Sequence, residues 1–426
     1  MKFAALVAAL GCSGALWASF PEVTNVTMTQ DQGRLVTITY ALSEPAVVTF
    51  DIQTNNVEKG VWESIGGERL VHVSGAVNRL VKADDEKVIR WQPRWDWPGQ
   101  KITGGNVKCE VKAWPTNAPP PFMSVDLCVA KDVRYYADEA SVFGGVTNDM
   151  YKTTHLLLRK LPAANATFRM GAAGYEYGTV SLYNANYKYE RSHLVTFTED
   201  FYIGVYPVTQ KQYVFFNGGV NPSNYQDKKK YPEADMHPVE KVKWTDVRGA
   251  SVDWPADLHT VADDSYLKRL RDHAGLDFDL PTDAQWEFAC RAGTTSALYN
   301  GDLTETNLDK IGWYAGNSVS DVTSATCTWP VGRKDANAWG LYDMIGNVYE
   351  WCLDWFDEKS TDAVTDPTGA ASGLDGKKVL RGGSHLVSAG TDYLYRFRSA
   401  FRYNYNAPDT CSQQTGFRLF APAEAK

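Results

Sequence analysis

Apolar and polar residues alternate in three early stretches, VTNVTMT (23–29), LVTITYAL (35–42) and AVVTFDIQT (46–54). A period of two with Val, Thr and Ile predominating predicts half-buried strands. DQG and SEP between them are turn material. VKCEVKAW (107–114) supplies a later alternating strand. Residues 20–115 are therefore expected to form an all-β sandwich, immunoglobulin-like or fibronectin-like, acting as a spacer or docking module. TNAPPPF (116–122) predicts a stiff extended linker, within a linker and connecting region over 116–165. There VDLCVA reads as a strand, and HLLLRKL as a strand or a short helix. From 166 to 422 the period changes. VTQKQYVFFNGG sets Thr209 and Gln212 at capping-box spacing, and LPTDAQWEFACRAG does the same with Thr282 and Gln285. Gly218 and Gly293 suit the helix ends. Tyr213 and Phe216, and Trp286, Ala289 and Cys290, make two apolar stripes that belong in a core. After Gly293 come glycine turns, aromatics and short strands, with no long helical period. The layout is α+β.

The chain has 426 residues, enough for two or more domains. Its net charge of −8 argues against nucleic acid as a partner. MKFAALVAALGCSGALWASF reads as a signal peptide over 1–19, cleaved near Ala18 or Ser19. No later run is long and apolar enough to be a transmembrane segment. The expected location is secreted, periplasmic or cell-surface. Six cysteines remain after cleavage, an even number that suits disulfides in an exported chain.

RGGSHLVSAGTDYLYRFRSAFRY (381–403) is dense in arginine and aromatic residues. It could be a basic nucleic-acid surface, a catalytic wall or a ligand-reading face. The alternation in YRFRSAFR places Arg396, Arg398 and Arg402 on one side of a strand. No GxSxG elbow and no phosphate loop occurs.

A series of motifs runs through the second half. FRMG (168–171), FYIGVYPVTQKQY (201–213) and HPVEKVKWTD (237–246) come first. LPTDAQWEFACRAGT (280–294), WYAGNS (313–318) and PVGRKDANAWGLYDMIGNVYEWCLDW (330–355) follow. VLRGGS (379–384), RSAFR (398–402) and GFRL (416–419) close it. Together they resemble the formylglycine-generating enzyme, or sulfatase-modifying factor, family, over roughly 160–422. The resemblance implies a C-type-lectin-like α+β fold. It also implies a copper- and oxygen-dependent oxidation of a sulfatase cysteine to formylglycine, or, in a sister branch, iron-dependent sulfoxide formation.

The copper chemistry needs two thiolates, which the resemblance sets after the GGS turn. No cysteine lies between Arg381 and Tyr403; Leu394 and Val387 stand near the two positions. Cys411 alone cannot supply a bis-thiolate site, and its pairing with Cys290 stays open. The His-x3-His-x-Glu array of the iron branch is missing, and His237 and His385 are isolated. Copper is not expected and no catalytic residue is assigned. The resemblance does imply structural calcium, held by the side chains of Asp343 and Glu350 and the carbonyls of Gly346 and Val348. Asn317 and Ser318 match part of a second calcium site. Arg381, Arg398 and Arg418 are expected to pair with core carboxylates. That leaves Tyr393, Tyr395, Tyr403, Asn404 and Tyr405 as the candidate ligand-binding face, rigid amphipathic area beside adaptable polar groups. It also resembles the variable face of lectin-fold receptors diversified by retroelements. The expected function is an exported, non-catalytic, lectin-like protein that binds a protein or glycan ligand. A formylglycine-generating oxidase and a calcium-stiffened structural surface protein are the alternatives.

Overall fold

The computed structural model describes residues 20–84, 86–100, 102, 105–172, 187–390, 393–404 and 407–426. The signal peptide expected over 1–19 and Tyr405 lie outside them. The chain forms two compact units. The first takes residues up to 124, 133–148 and 423–426; the second takes 125–132 and 149–422.

The first unit is a sandwich of two antiparallel sheets. One has the order Val23–Gln30, Val36–Leu42, Lys87–Trp91, Val73–Gly75. In the other, Ala46–Asn56 pairs with Val61–Ser64, Arg79–Val81 and Val107–Trp114. Val36, Ile38, Tyr40 and Leu42 turn inward, and Val48, Phe50 and Ile52 meet them in one core with Ile89 and Trp91. The alternation in the sequence is thus the inward face of each strand. Gly75 holds φ at +105°, and a Cβ there would lie 2.1 Å from the Val88 carbonyl oxygen. The prolines after Thr116 are not a free spacer: Pro119 and Pro120 are buried, and the Thr116 carbonyl accepts from Ala425 N at 2.7 Å.

The second unit has three small sheets. Phe201–Gly204 lies between His155–Leu161 and Phe420–Pro422. His193–Thr196 lies between Thr167–Met170 and Val364–Thr365. Tyr349–Trp355 lies between Lys378–Arg381 and Thr415–Gly416. HLLLRKL is a strand, the first of its two readings. VDLCVA is not one throughout. The strand Phe122–Asp126 stops there because the Asp126 carboxylate accepts from the amides of Cys128 and Val129, closing a turn.

Both expected capping boxes form. Gln212 N donates to Thr209 Oγ1 at 3.2 Å and Thr209 N donates to Gln212 Oε1 at 3.0 Å. Thr282 and Gln285 repeat this at 3.2 and 2.9 Å. The helices run Gln210–Phe216 and Asp283–Arg291. Ala292 takes the left-handed conformation before Gly293 does. Among the described residues the unit also has the helices Trp244–Arg248, Tyr266–Ala274 and Glu305–Ile311, which makes it α+β.

The YRFRSAFR strand is not there. Leu394–Phe397 is a 3-10 turn, so Arg396 and Arg398 diverge. The disulfides are also corrected: the six cysteines from Cys109 to Cys411 are free thiols. Cys290 faces the core, its Sγ 3.6 Å from Ser399 Oγ. Cys411 sits instead in the field of Asp246, Lys243 and Lys241.

Removing the cap in Thr282→Ala is expected to destabilise the second unit by about 1 kcal/mol. Urea unfolding measures it, and an unchanged midpoint would contradict the assignment.

Candidate functional site

The segment 381–403 is held by its arginines. Arg381 is fully buried; its Nε donates to Asp283 Oδ1 at 2.6 Å and its Nη2 to Glu287 Oε2 at 2.9 Å. Its Nη1 donates to the carbonyls of Ser399 and Phe401. Arg398 grips Glu190 with two bonds of 2.7 and 3.2 Å. Arg402 pairs with Asp283 at 2.9 Å and donates to the Tyr189 and Asp357 carbonyls. The structural role expected of Arg381, Arg398 and Arg418 is the one observed.

Arg396 differs. Its guanidinium carbon lies 5.0 Å from the Tyr393 ring centre, 5.6 Å from Tyr403 and 5.9 Å from Tyr395. These distances suit cation–π attraction. The 3-10 turn brings Tyr393 and Tyr395 to the arginine, with Arg396 N donating to the Tyr393 carbonyl. Tyr403 is fixed by paired backbone bonds to Leu380 and stacks on Tyr349 at 4.5 Å. Arg396 Nε is buried and meets no hydrogen-bond acceptor. Tyr393 is 46% exposed, so the cluster opens to solvent. Three of the predicted ligand residues therefore surround one cation, and Asn404 lies half-buried beside Tyr403. The sequence reading missed Arg396 as their common centre and Tyr349 as the support. The adjacent YRF triplet was the available signal.

Beneath the GGS turn lies a buried polar cluster. His385 Nδ1 faces the Asn347 carbonyl at 2.9 Å and Nε2 faces Tyr225 Oη at 3.0 Å. One neutral tautomer satisfies both, donating from Nδ1 and accepting at Nε2. Burial lowers the His385 pKa to about 4 and that of His237 to about 3, the latter also through His385. Both are packing histidines in a neutral state. Glu240 Oε1 accepts from Tyr225 N, while Oε2 is buried without a partner. Burial pushes its carboxyl up to about 8.

The side chains expected to hold calcium already have partners within the protein. Both Glu350 oxygens accept from Arg418, and Oε2 also accepts from Trp286 Nε1 at 2.7 Å. The carboxylate is neutralised by a guanidinium in contact with it. Asp343 Oδ2 accepts from Gly332 N at 2.7 Å and Oδ1 from Asn347 Nδ2 at 3.1 Å. Gly346 N donates to the Gly382 carbonyl, and Val348 is buried in the same loop. At the second place, Asn317 Oδ1 accepts from Tyr314 N and Ser318 Oγ donates to the His385 carbonyl. Among the described residues no group of three or more His, Cys, Asp or Glu is set to hold a metal.

Residues 164–423 match the model of the sulfatase-modifying factor enzyme 1-like domain, more than half of the chain. The chain belongs to the sulfatase-modifying factor family. It is 34% identical over 150 residues to the formylglycine-generating enzyme of Mus musculus, covering 33% of this chain and 38% of that one. It is 37% identical over 152 residues to that of Thermomonospora curvata, covering 33% and 48%. It is 31% identical over 197 residues to the chaperone protein LppX of Paenibacillus barcinonensis, covering 39% and 66%. The chain thus matches about half or less of the length of the two enzymes. Among solved structures, Treponema denticola variable protein 1 aligns with TM-score 0.47 and 27% identity, covering 63% of this chain and 96% of that one. PvdO from Pseudomonas aeruginosa aligns with TM-score 0.46 and 23% identity, covering 62% and 94%.

In this sulfatase-modifying factor relative, Cys290, Cys327 and Cys352 are buried. Burial pushes Cys290 up to about 12 and Cys327 up to about 11, and holds Cys352 well above its ordinary value. Burial therefore keeps these three protonated at neutral pH in the metal-free protein.

Two outcomes follow from this geometry. EDTA or added calcium is expected to leave the melting temperature unchanged, since the carboxylates already have partners; a calcium-dependent rise would overturn that. Glu240 is protonated in the folded protein at neutral pH, whereas the unfolded chain's carboxyl ionises near 4.5. Stability is therefore lost as pH rises from about 4.5 to about 8, by on the order of a few kcal/mol. Urea unfolding at both ends of that window should show the slope in the wild type and its loss in Glu240→Gln. An equal slope in both would refute it.

Proposed function

We propose that this chain is an exported, non-catalytic sulfatase-modifying-factor-like protein that binds a protein or glycan ligand through the cluster around Arg396. One observation carries the reading. In the segment where the resemblance sets the copper thiolates, the chain has Val387, Leu394 and a half-buried arginine ringed by Tyr393, Tyr395 and Tyr403, the first of them exposed. Such a recess offers rigid aromatic area to a sugar ring or peptide side chain, and a guanidinium to an acidic group. The segment holds no thiolate pair for the oxidase alternative, and the two carboxylates expected for the calcium-stiffened alternative, Asp343 and Glu350, already accept hydrogen bonds within the protein.

The test has two arms. A peptide carrying the sulfatase CxPxR motif, incubated with the protein, Cu(I) and oxygen, should keep its cysteine by mass spectrometry; conversion to the aldehyde would overturn the proposal. On an array of acidic and neutral glycans and unfolded peptides, Tyr395→Ala and Arg396→Met should each weaken the strongest binding about tenfold, or ~1.4 kcal/mol. Unchanged binding in both variants would exclude the cluster.

A further inference from the structure

The first unit, read from sequence as a spacer or docking module, contains a recess of about 310 Å³. That volume is at the lower end for small-molecule sites, roughly 300–1,000 Å³. Its walls include the aromatic rings of Phe50, Tyr136 and Phe143, with Arg79, Arg134 and Asn78 among its polar groups. Among the described residues, no aspartate or glutamate lines it. Two cationic side chains share a partly enclosed space that contributes no formal negative charge of its own.

The backbone makes this a built feature. Arg134 and Tyr136 are alternate residues of the strand Val133–Tyr136 and reach the same recess, while buried Tyr135 between them is not among its walls. Asn78 is pinned on both sides: its amide donates to the Val48 carbonyl at 2.6 Å, and its own carbonyl accepts from Tyr135 N at 2.8 Å. That holds the turn before Arg79 against the strand carrying Arg134. Both arginines also interact within the protein. A guanidinium has five N–H donors, so an internal partner leaves capacity for a ligand. A recess with aromatic walls, fixed polar groups and two guanidinium groups suits one chemistry. We infer that it binds a small amphipathic anion, a carboxylate, sulfate or sulfonate carried on a flat apolar body. This site is independent of the tyrosine cluster in the second unit.

Isothermal titration of the full chain with naphthalene-1-sulfonate tests it, with uncharged 1-naphthol as the control. The expected result is saturable, equimolar binding of the sulfonate and at least about tenfold weaker binding of the naphthol, the difference a charge-assisted contact provides. Arg134→Met keeps the apolar stem and removes the charge; it should weaken sulfonate binding by about tenfold or more. Should that variant not fold, Ser74→Trp decides, because Ser74 is an exposed residue of the same recess. It should abolish binding with the melting temperature unchanged. Absence of saturable binding, equal affinity for sulfonate and naphthol, or undiminished binding in a folded variant would each overturn the assignment. Loss of glycan or peptide binding in the Arg396 variants would leave this result untouched.

Discussion

The second unit depends on buried guanidinium groups that do the work regular secondary structure does elsewhere. Its loops are long, and backbone carbonyls inside them need donors. Arginine offers five N–H groups in a rigid fork. Arg418 donates to the carbonyls of Gly204, Val205 and Tyr342, and Arg248 to those of Leu258 and Thr260. Four buried arginines have buried counter-charges: Arg381 with Asp283 and Glu287, Arg418 with Glu350, Arg398 with Glu190, Arg248 with Asp279. The pairs are worth little as a net gain over an apolar core. Losing one partner leaves a bare charge in low dielectric and costs about 3–5 kcal/mol. The network therefore specifies where the loops go more than it adds stability.

Asp283 and Glu287 are the centre of that scheme. They occupy the first and second turns of the helix Asp283–Arg291, whose capping box sets its start. Glu287 also accepts from Arg291 Nε and Gly171 N, and Asp283 pairs with Arg402 and Lys359. One short helix thus gathers the segments near 171, 359, 381 and 402. Nearby Arg381 and Arg398 position the 3-10 turn and the extended residues after it. Tyr393, Tyr395 and Tyr403 reach Arg396 because those flanking arginines are already committed to buried carboxylates.

What the sequence made legible follows the same division. Strands of the sandwich and the two capping boxes are local, written in period two and in Thr-x-x-Gln, and they form where expected. The helix Tyr266–Ala274 was missed because its cap, Ser265 accepting from Lys268 N, lacks the Glu or Gln that completes a box. The alternating YRFRSAFR looks like a strand, yet no neighbouring strand pairs with it among the described residues. A 3-10 turn takes it instead, because Arg398 has to reach Glu190. The partners of Glu350 and Asp343 were invisible for a similar reason. They lie 68 and 11 residues away, at Arg418 and Gly332, and only the fold brings them together. Cysteine parity suggested bridges, but parity says nothing of where side chains point.

This construction also bears on how such a domain changes its chemistry. Val387 is buried, its amide bonded to Ser384 and its carbonyl to Ala315, and Phe397 packs under Gly383. None of these contacts uses a thiol. The arginine pairs that hold the segment lie at Arg381, Arg398 and Arg402, and between them Tyr393 is exposed while Leu394, Tyr395 and Arg396 are half-buried. A position between fixed points can exchange a metal-binding sulfur for an apolar or aromatic side chain without disturbing the carbonyls the arginines satisfy. The scaffold then constrains the path of the segment and leaves its chemistry open, which is the physical condition for one fold to serve both catalysis and recognition.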